Sequence, residues 1–429
     1  MELNWGESCY RSIENGFAMN VKNICQTLPL ALAVALCGCS DDNNAPLPDL
    51  AGKTYEGLSV LNLSYDGSPM VGKSATLDPT GSTASITFSS KFDPSSLSSA
   101  LKDLPAIPAP GVLPGSPELK IPVYLKPDNG KYVFAGSGET EYVTYEYAGD
   151  ILEDKMDFNF LNVKLKNQLL AGSVWKPVPL TSTSSPFHIV WETSLPGPLE
   201  FFDGTIEDAL KLLVKMPIIP VYNNTAYMSL SQVIASGLET ICFNPDGNLV
   251  VTYLQSANGA AQFAQAPLCM IQYLPLTEGV MKLYVNPTDL MSVIVMNVTN
   301  KPEIPSNPFG SPAKKTRGDD SAASIVSPEQ ILAIAQKIAP LLAEGLPVAY
   351  AKSDSTLDIY LSSEFILPMI QEVVAPLLTD PLIQAALLEK IESDPHLQPY
   401  LKAVKGLLTA LPQLLQSTTR IELGLAFQK

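Results

Sequence analysis

The chain has 429 residues, with 43 acidic residues against 27 basic ones and a formal net charge of −16. A chain this acidic, with no basic stripe, repels phosphate backbones, which argues against nucleic-acid binding. Hydrophobic residues make up 46% of the sequence, a normal share for a folded protein and one that argues against general disorder. The length is enough for two or three domains.

An apolar run near the amino end predicts a secretory signal peptide. Residues 28–36 read LPLALAVAL, and Lys22 precedes them. A positive residue followed by a short apolar stretch is typical of signal peptides, whereas a bilayer-spanning helix needs about 20 apolar residues. Met19 is a better start than Met1, because three glutamates precede it and do not fit the positive region. We therefore assign residues 1–38 to an upstream segment and a signal peptide.

The end of this run resembles the lipobox of bacterial lipoproteins. It reads Leu36-Cys37-Gly38-Cys39, and Asp41 and Asp42 follow. The resemblance implies that Cys39 carries the lipid that anchors the protein to the outer membrane, with residues 39–50 as a tether. The acidic pair looks like the export signal of surface lipoproteins of Bacteroides-type bacteria. It implies display at the cell surface, with periplasm-facing display as the alternative.

The remaining cysteines and the histidines decide what can be said about disulfides and metals. Cys242 and Cys269 flank a predicted hairpin, so either a disulfide or two buried thiols fits an oxidising compartment. His188 and His396 are the only histidines and lie far apart in the sequence. They lack the spacing of metal ligands, so we predict no metal site and no cofactor.

Residues 51–195 predict an antiparallel β domain, because short alternating segments are separated by turn signals. Asp66-Gly67 and the PDNG segment at 127–130 are such signals. The apolar phase slips by one residue near Leu161, which predicts a bulge or a change of sheet. A strand at 187–191 closes the domain. We expect a β-meander that forms a barrel or a sandwich.

Residues 196–429 predict a second β domain that also contains helices, so the fold class is mainly β with α. A cap at Thr205 starts the first helix. Residues 302–326 form a loop and 327–415 are rich in helix. The strict alternation at 420–428 predicts a strand that returns to the second sheet.

Several segments resemble lipocalin-like domains of unknown function in Bacteroides-type lipoproteins. They are the region 53–77, the ICFNPDGNL segment at 241–249, the LYVNP segment at 283–287 and the TTRIELGL segment at 418–425. Together with the lipobox, the resemblance covers most of the chain after the signal peptide. It implies a calycin-like β-meander and no particular activity. The helical region departs from a simple lipocalin.

The sequence contains no motif for a familiar catalytic machinery, so we expect no catalytic residues. It has no G-x-S-x-G, no H-E-x-x-H and no phosphate-binding loop. His188 and His396 are best read as structural residues. A glycoside hydrolase that uses two carboxylates needs no histidine and stays open as an alternative. Asp66, Asp128 and Asp246 lie in predicted turns, where aspartate is expected for backbone reasons alone.

Aromatic residues carry the functional prediction. Trp175, Trp191, Tyr145 and Tyr147 are candidates for stacking on sugar rings if one sheet face exposes them, and for core residues otherwise. We expect a non-enzymatic surface protein that binds an extracellular glycan as an accessory to outer-membrane uptake proteins. The alternative is a lipocalin-like carrier of a small apolar molecule.

Overall fold

The structure is a computed structural model of the chain. It describes residues 49–50, 52–80, 83–93, 106–195, 203–221, 226–257, 260–287, 341, 343–376, 381–393, 395 and 397–429. The signal peptide with Cys39, nearly all of the 39–50 tether and the 302–326 loop lie outside these residues.

The first part of the chain, which we call the sandwich unit, is built of β-strands. They are β1 (Thr54–Glu56), β2 (Leu61–Tyr65), β3 (Ser68–Pro69), β4 (Lys73–Thr80), β5 (Thr83–Phe92), β6 (Ile107–Pro108), β7 (Leu119–Tyr124), β8 (Lys126–Asp128), β9 (Lys131–Glu139), β10 (Val143–Ile151) and β11 (Met156–Leu165).

These strands form two sheets that pack face to face. One has the order β1-β4-β5-β6 with β7 also beside β5, and the other has the order β3-β2-β11-β10-β9-β8. The ring of Phe88 on β5 lies 4.7 Å from that of Phe158 and 5.6 Å from that of Phe160, both on β11. Aromatic contacts of this kind join the inner faces of the two sheets into one apolar core.

The predicted hairpin turns are present in this unit. Asp66 and Gly67 both have positive φ angles, as do Asn129 and Gly130. Two consecutive residues with positive φ make the tight turn whose twist matches that of the flanking strands, and glycine at the second position adopts it without steric cost. The sequence signals Asp-Gly and Asn-Gly therefore act as predicted.

The predicted bulge is also present, and it lies in β11. Between Thr144 and Glu146 on β10 the partner strand advances from Lys164 to Leu161, so β11 carries one extra residue. Asn162 has a φ of 51°, an uncommon value for a residue other than glycine. Before the bulge, every second residue up to Phe160 is buried. The extra residue shifts this pattern, so that Val163 and Leu165 are the next buried residues.

The rest of the described chain, which we call the large-sheet unit, mixes strands and helices. In chain order they are β12 (Ser173–Pro177), β13 (Phe187–Thr193), α1 (Ile206–Leu213), β14 (Pro217–Val221), β15 (Ala226–Ser229), α2 (Leu230–Gly237), β16 (Leu238–Phe243), β17 (Leu249–Ala257), β18 (Ala260–Gln265), β19 (Ile271–Thr277), β20 (Val280–Val285), β21 (Leu346–Lys352), β22 (Thr356–Leu361), α3 (Ser363–Met369), a π-helical turn (Ile370–Val374), α4 (Pro381–Ser393), a 3₁₀ turn (Gln398–Tyr400), α5 (Leu401–Ser417) and β23 (Thr418–Gln428).

A ten-stranded antiparallel sheet organises this unit. Its order is β18-β17-β16-β12-β23-β22-β21-β20-β19, with β13 also beside β23. The predicted closing strand therefore lies in the middle of the sheet. The sequence placed the segment 187–191 in the first domain, but the structure pairs β12 and β13 with β23, so the first domain ends before β12. Local alternation identifies such strands but carries no information on distant partners.

Helices cover one face of β23. Thr205 and Asp208 form a reciprocal capping box at the start of α1, as the sequence predicts. Side chains of α1, α3 and α5 pack with Trp191 and Ile421 in a second apolar cluster, separate from the main core. Within the described residues, the helices fall short of the length and apolar character that crossing a bilayer requires.

The described elements confirm a mainly β fold with antiparallel sheets and a few helices. Neither the sandwich sheets nor the ten-stranded sheet closes into a barrel within the described residues. The turn between β16 and β17 joins the two units, because Leu165 N–H donates to Pro245 O at 2.9 Å and the Tyr65 hydroxyl donates to Asp246 O at 2.5 Å.

Candidate functional site

The two tryptophans predicted as sugar-stacking residues are buried. Trp175 has no exposed surface, and its indole N–H donates to Ser173 Oγ at 2.9 Å. Trp191 packs under the helices and donates to Thr418 Oγ1 at 2.9 Å. A ring whose faces are covered by protein cannot stack on a ligand, so both tryptophans are core residues and the expectation of stacking is corrected.

Tyr145 and Tyr147 are buried as well, for a reason visible in the strand register. Tyr145 lies opposite Gly138, and Tyr147 lies opposite Gly136 on the neighbouring strand β9. Each ring lies over its glycine partner, so that a Cβ on Gly138 would lie 2.6 Å from Tyr145 Cζ. Aromatic residues often cover glycines across a strand pair in this way. Neither tyrosine therefore offers a ring face to a sugar.

The two cysteines are buried thiols, and no disulfide joins them. The thiol of Cys242 donates to Asn244 Oδ1 at 3.3 Å, and the backbone N–H of Cys269 donates to Asn248 Oδ1 at 2.7 Å. Both therefore help to order the turn that joins the two units. Of the two arrangements that the sequence leaves open, this structure has the reduced one.

The groove that we take as the candidate site lies on the outer face of the six-stranded sheet. It has a volume of about 420 Å³ and is lined by Ser137, Gly138, Glu139, Thr144, Tyr145, Glu146 and Asn162. Ser137 lies opposite Glu146, and Glu139 lies opposite Thr144, so these four side chains share one face. Gly138 and Tyr145 lie between these four residues and contribute to the floor of the groove, since the ring of Tyr145 is buried on the other face.

The bulge in β11 supplies one wall of this groove. Asn162 is the extra residue, and its Nδ2 donates to Glu146 Oε2 at 2.7 Å. The carboxylate of Asp66 accepts hydrogen bonds from the backbone N–H groups of Asn162 and Val163, which the bulge removes from the ladder. Bulges often redirect a side chain at a functional site, and here the bulge directs an amide into the groove.

Two carboxylates line the groove, and two lysines adjoin it: Lys164, opposite Thr144, and Lys166, beside Glu139. Lys166 Nζ lies 2.8 Å from Glu139 Oε2, and this hydrogen bond and charge lower the pKa of Glu139. Glu146 accepts a hydrogen bond from the amide of Asn162 and lies opposite Ser137. The groove therefore presents carboxylate, amide and hydroxyl groups at neutral pH, which together accept and donate hydrogen bonds.

Comparison with known proteins finds no match. No family model, no curated protein and no solved structure is significantly similar to this chain. Within the described part of the chain, no three histidine, cysteine, aspartate or glutamate side chains are grouped so that they could hold a metal ion.

His188 is the centre of a second polar cluster, on the open face of the large sheet. Its Nε2 lies 3.0 Å from Glu422 Oε2 and its Nδ1 lies 3.5 Å from Asp358 Oδ2. The hydrogen bond to Asp358 and that to Glu422 raise the pKa of His188 in spite of its burial. With both ring nitrogens directed at carboxylates, His188 is not placed to act as a general base. The second histidine, His396, lies outside the described residues.

Sequence reasoning missed the meeting of two turn aspartates. Asp66 and Asp246 come from different units, and burial together with the charge of Asp246 raises the pKa of Asp66 to about 6. Both carboxylate oxygens of Asp246 accept hydrogen bonds from Asn248, one from its backbone at 2.8 Å and one from its amide at 2.7 Å. The pair is thus occupied with ordering the junction, while Asp128 is exposed in its own turn.

Apart from Tyr145, the sequence did not predict the residues of the groove, although its apolar pattern contains one signal. The phase slip near Leu161 indicates a bulge, and bulges redirect side chains, so the slip points to Asn162. Ser137, Thr144 and Glu146 occupy the polar positions of otherwise ordinary alternating strands. Nothing local distinguishes such positions from any solvated sheet face.

Proposed function

We propose that the chain is a non-enzymatic binding protein that takes a polyhydroxylated ligand, a glycan, in the groove formed by β9, β10 and β11. The observation that carries this proposal is the grouping of carboxylate, amide and hydroxyl side chains around an open volume of about 420 Å³. That volume falls within the range of about 300–1,000 Å³ typical of small-ligand sites.

The chemistry of the groove suits sugar hydroxyls. Each sugar hydroxyl donates one hydrogen bond and accepts others, so it fits a site that combines acceptors with donors. Glu139 and Glu146 accept, Asn162 does both, and Ser137 and Thr144 contribute hydroxyls. Hydrogen bonds to charged groups contribute roughly 1.5–3 kcal/mol each, so a few of them can replace the aromatic platform that the sequence suggested.

The pKa shifts of two acids, Glu139 and Asp66, support binding without hydrolysis. A glycoside hydrolase needs one carboxylic acid whose pKa is raised so that it can protonate the leaving group. The pKa of Glu139 is instead lowered by Lys166. Asp66 has a raised pKa, but its carboxylate accepts backbone hydrogen bonds at the bulge. Glu139 is therefore poorly suited to the role of proton donor, which supports binding over hydrolysis.

We further propose that the protein is a lipoprotein of the outer membrane, anchored through Cys39 and displayed at the cell surface beside uptake proteins. The support is the lipobox-like Leu36-Cys37-Gly38-Cys39 and the Asp41-Asp42 pair that follows. Radiolabelled palmitate should be incorporated into the protein and lost from a Cys39→Ala variant. Protease added to intact cells should cleave the protein if it is displayed outward.

We also propose that the large-sheet unit has a calycin-like fold. Its support is a bridge between Asn248 and Gln272, beside which Tyr273 N–H donates to Gly247 O at 2.8 Å. These contacts bring β19 close to the turn between β16 and β17, so the sheet curls towards itself. A carrier of small apolar molecules would bind them inside such a curled sheet. Binding of an apolar fluorescent probe to the purified chain tests this alternative function.

The decisive experiment is binding of the purified chain to a panel of immobilised polysaccharides, with the supernatant assayed for released sugar. We expect retention without release, and a loss of affinity of about ten- to a hundredfold in Glu146→Gln and in Glu139→Gln. The matched control is Glu118→Gln, which removes the same charge from an exposed position just before β7. Release of sugar would contradict binding without hydrolysis. Retention that both groove variants leave unchanged would contradict this site.

A further inference from the structure

Strand β18 forms one edge of the ten-stranded sheet. Among the described residues it pairs only with β17, in an antiparallel register that runs from Thr252 opposite Gln265 to Ala257 opposite Ala260. The other side of an edge strand presents backbone N–H and C=O groups that another strand can pair with. Proteins commonly protect such edges with prolines or charged residues, because unprotected edges associate.

β18 differs from the other long edges in having no such protection. Its sequence is AAQFAQ, with neither a proline nor a charged residue. The other described edge strands of at least five residues all contain one or both: Lys120 and Pro122 in β7, Glu192 in β13, Pro217 and Pro220 in β14, and Pro275 in β19. The contrast marks β18 as the edge that is open to pairing.

An apolar pair accompanies this open edge. Leu254 and Phe263 lie directly opposite each other on β17 and β18 and are 40% and 49% exposed. They belong to a stretch in which no charged residue occurs between Asp246 and Glu278, although charged residues make up 16% of the chain. An exposed apolar pair beside free strand hydrogen bonds is the feature that β-strand addition uses.

We propose that β18 pairs with β18 of a second copy of this chain, antiparallel about a two-fold axis, so that two large sheets join edge to edge. In a two-fold contact the same surface is used by both partners, so a charged residue near the axis faces a charge of its own sign. For a chain of net charge −16, an uncharged edge avoids this repulsion. The neutral edge therefore fits a second copy, and the two Phe263 side chains flank the axis.

Sedimentation of the full chain over a range of concentrations tests the proposal. We expect a monomer–dimer equilibrium that Phe263→Lys and Gln262→Glu each weaken by about tenfold or more, because each places like charges near the axis. The matched control is Val280→Lys, at an apolar residue that is 41% exposed on β20. Thermal unfolding of the variants checks that the substitutions leave the fold unchanged.

Hydrogen exchange at residues 260–265 supplies the second measurement. Protection of these amides should rise with protein concentration in the unsubstituted chain and not in Phe263→Lys. A monomer at every concentration overturns the proposal, and amides protected in that monomer would assign the edge to another segment of the same chain. A dimer that neither β18 variant weakens also overturns it. The glycan groove lies in the other unit, so polysaccharide retention reports on that proposal separately.

Discussion

The rings of His188 and Tyr360 stack 4.4 Å apart and nearly parallel, across Gly424 on the strand between theirs. Gly424 lies in register with both residues. Because glycine has no side chain, the two rings can come into contact above it. A Cβ there would lie 2.0 Å from Ile359 O on β22. The close approach of β22 and β23 therefore requires glycine at this position.

Gly424→Ala should destabilise the protein strongly. The added methyl group meets backbone rather than a flexible side chain, so the strands must move apart, and we expect a loss of about 3 kcal/mol in the free energy of unfolding. Gly237→Ala is the control, since a Cβ there meets no atom within 4 Å. Urea unfolding of both variants measures the difference. Equal stability of the two would contradict the close packing across Gly424.

The titration of His188 should show a pKa above the ordinary value of 6.5, because Asp358 and Glu422 favour the charged ring. The folded chain then binds this proton more tightly than the unfolded chain. The charged His188 ring therefore stabilises the folded chain fully below pH 6.5, and this stabilisation is lost as the pH rises through the raised pKa of His188. The chain has two histidines, so His188→Gln assigns the signal in a proton NMR titration. A titration at or below 6.5 would contradict the charge cluster.

Asp66 should make the protein less stable as the pH rises from about 4 to about 6. Burial and the neighbouring Asp246 raise its pKa from 3.8 to about 6, and burial also raises the pKa of Asp246. The folded chain holds the proton more tightly than the unfolded chain, so the free energy of unfolding falls across this range.

Asp66→Asn should reduce that pH dependence to the part that Asp246 contributes, since the amide stays neutral and asparagine tolerates the positive φ of this turn. Urea midpoints at pH 4, 5, 6 and 7 measure it. Asp128→Asn, in the exposed turn before Asn129, is the control that should leave the dependence in place. An unchanged slope in the Asp66 variant would show that another group titrates.

Gly138→Ala should cost about 1–3 kcal/mol, because the new methyl group would lie 2.6 Å from the ring of Tyr145. Tyr145→Val removes the ring that it meets. In the double variant the two losses in the free energy of unfolding should therefore not add. The difference from additivity should equal the loss that the methyl group causes by meeting the ring. Additive losses would mean that the ring does not lie over the glycine.

Asn162 allows stability and binding to be separated. Asn162→Gly suits the φ of 51° and should leave stability nearly unchanged, whereas Asn162→Ala should cost about 1–2 kcal/mol. Both variants remove the amide that contacts Glu146, so both should bind polysaccharide more weakly. Full binding by Asn162→Gly would contradict a role for the amide in the groove.

The features that the sequence predicts correctly are those with local causes. Asp66-Gly67 makes its turn because two adjacent residues determine it, and Thr205 caps α1 through Asp208 three residues later. The bulge near Leu161 follows from alternation within one strand. Each of these is decided by a few neighbouring residues, so the sequence contains what is needed.

The features that the sequence does not predict depend on contacts between distant segments. Trp191 alternates as a sheet residue would, but the helices that cover it come from other parts of the chain. The meeting of Asp66 with Asp246 and the pairing of β13 with β23 are of the same kind. A single sequence shows the secondary-structure propensities and the periodicity of apolar residues, but not which strands pair. The groove and the burial of the aromatic residues therefore become visible only in the structure.

The position of β23 constrains when this protein can fold. The contact between His188 and Glu422 joins residues 234 positions apart, and β23 lies in the middle of the large sheet. Pairing over such distances is slow, because the chain loses loop entropy before the contacts compensate for it. The ribosome must have made the residues up to 428 before the sheet can be completed. A nascent chain thus stays without its central strand until late, which suits the export that the proposed lipoprotein anchor requires.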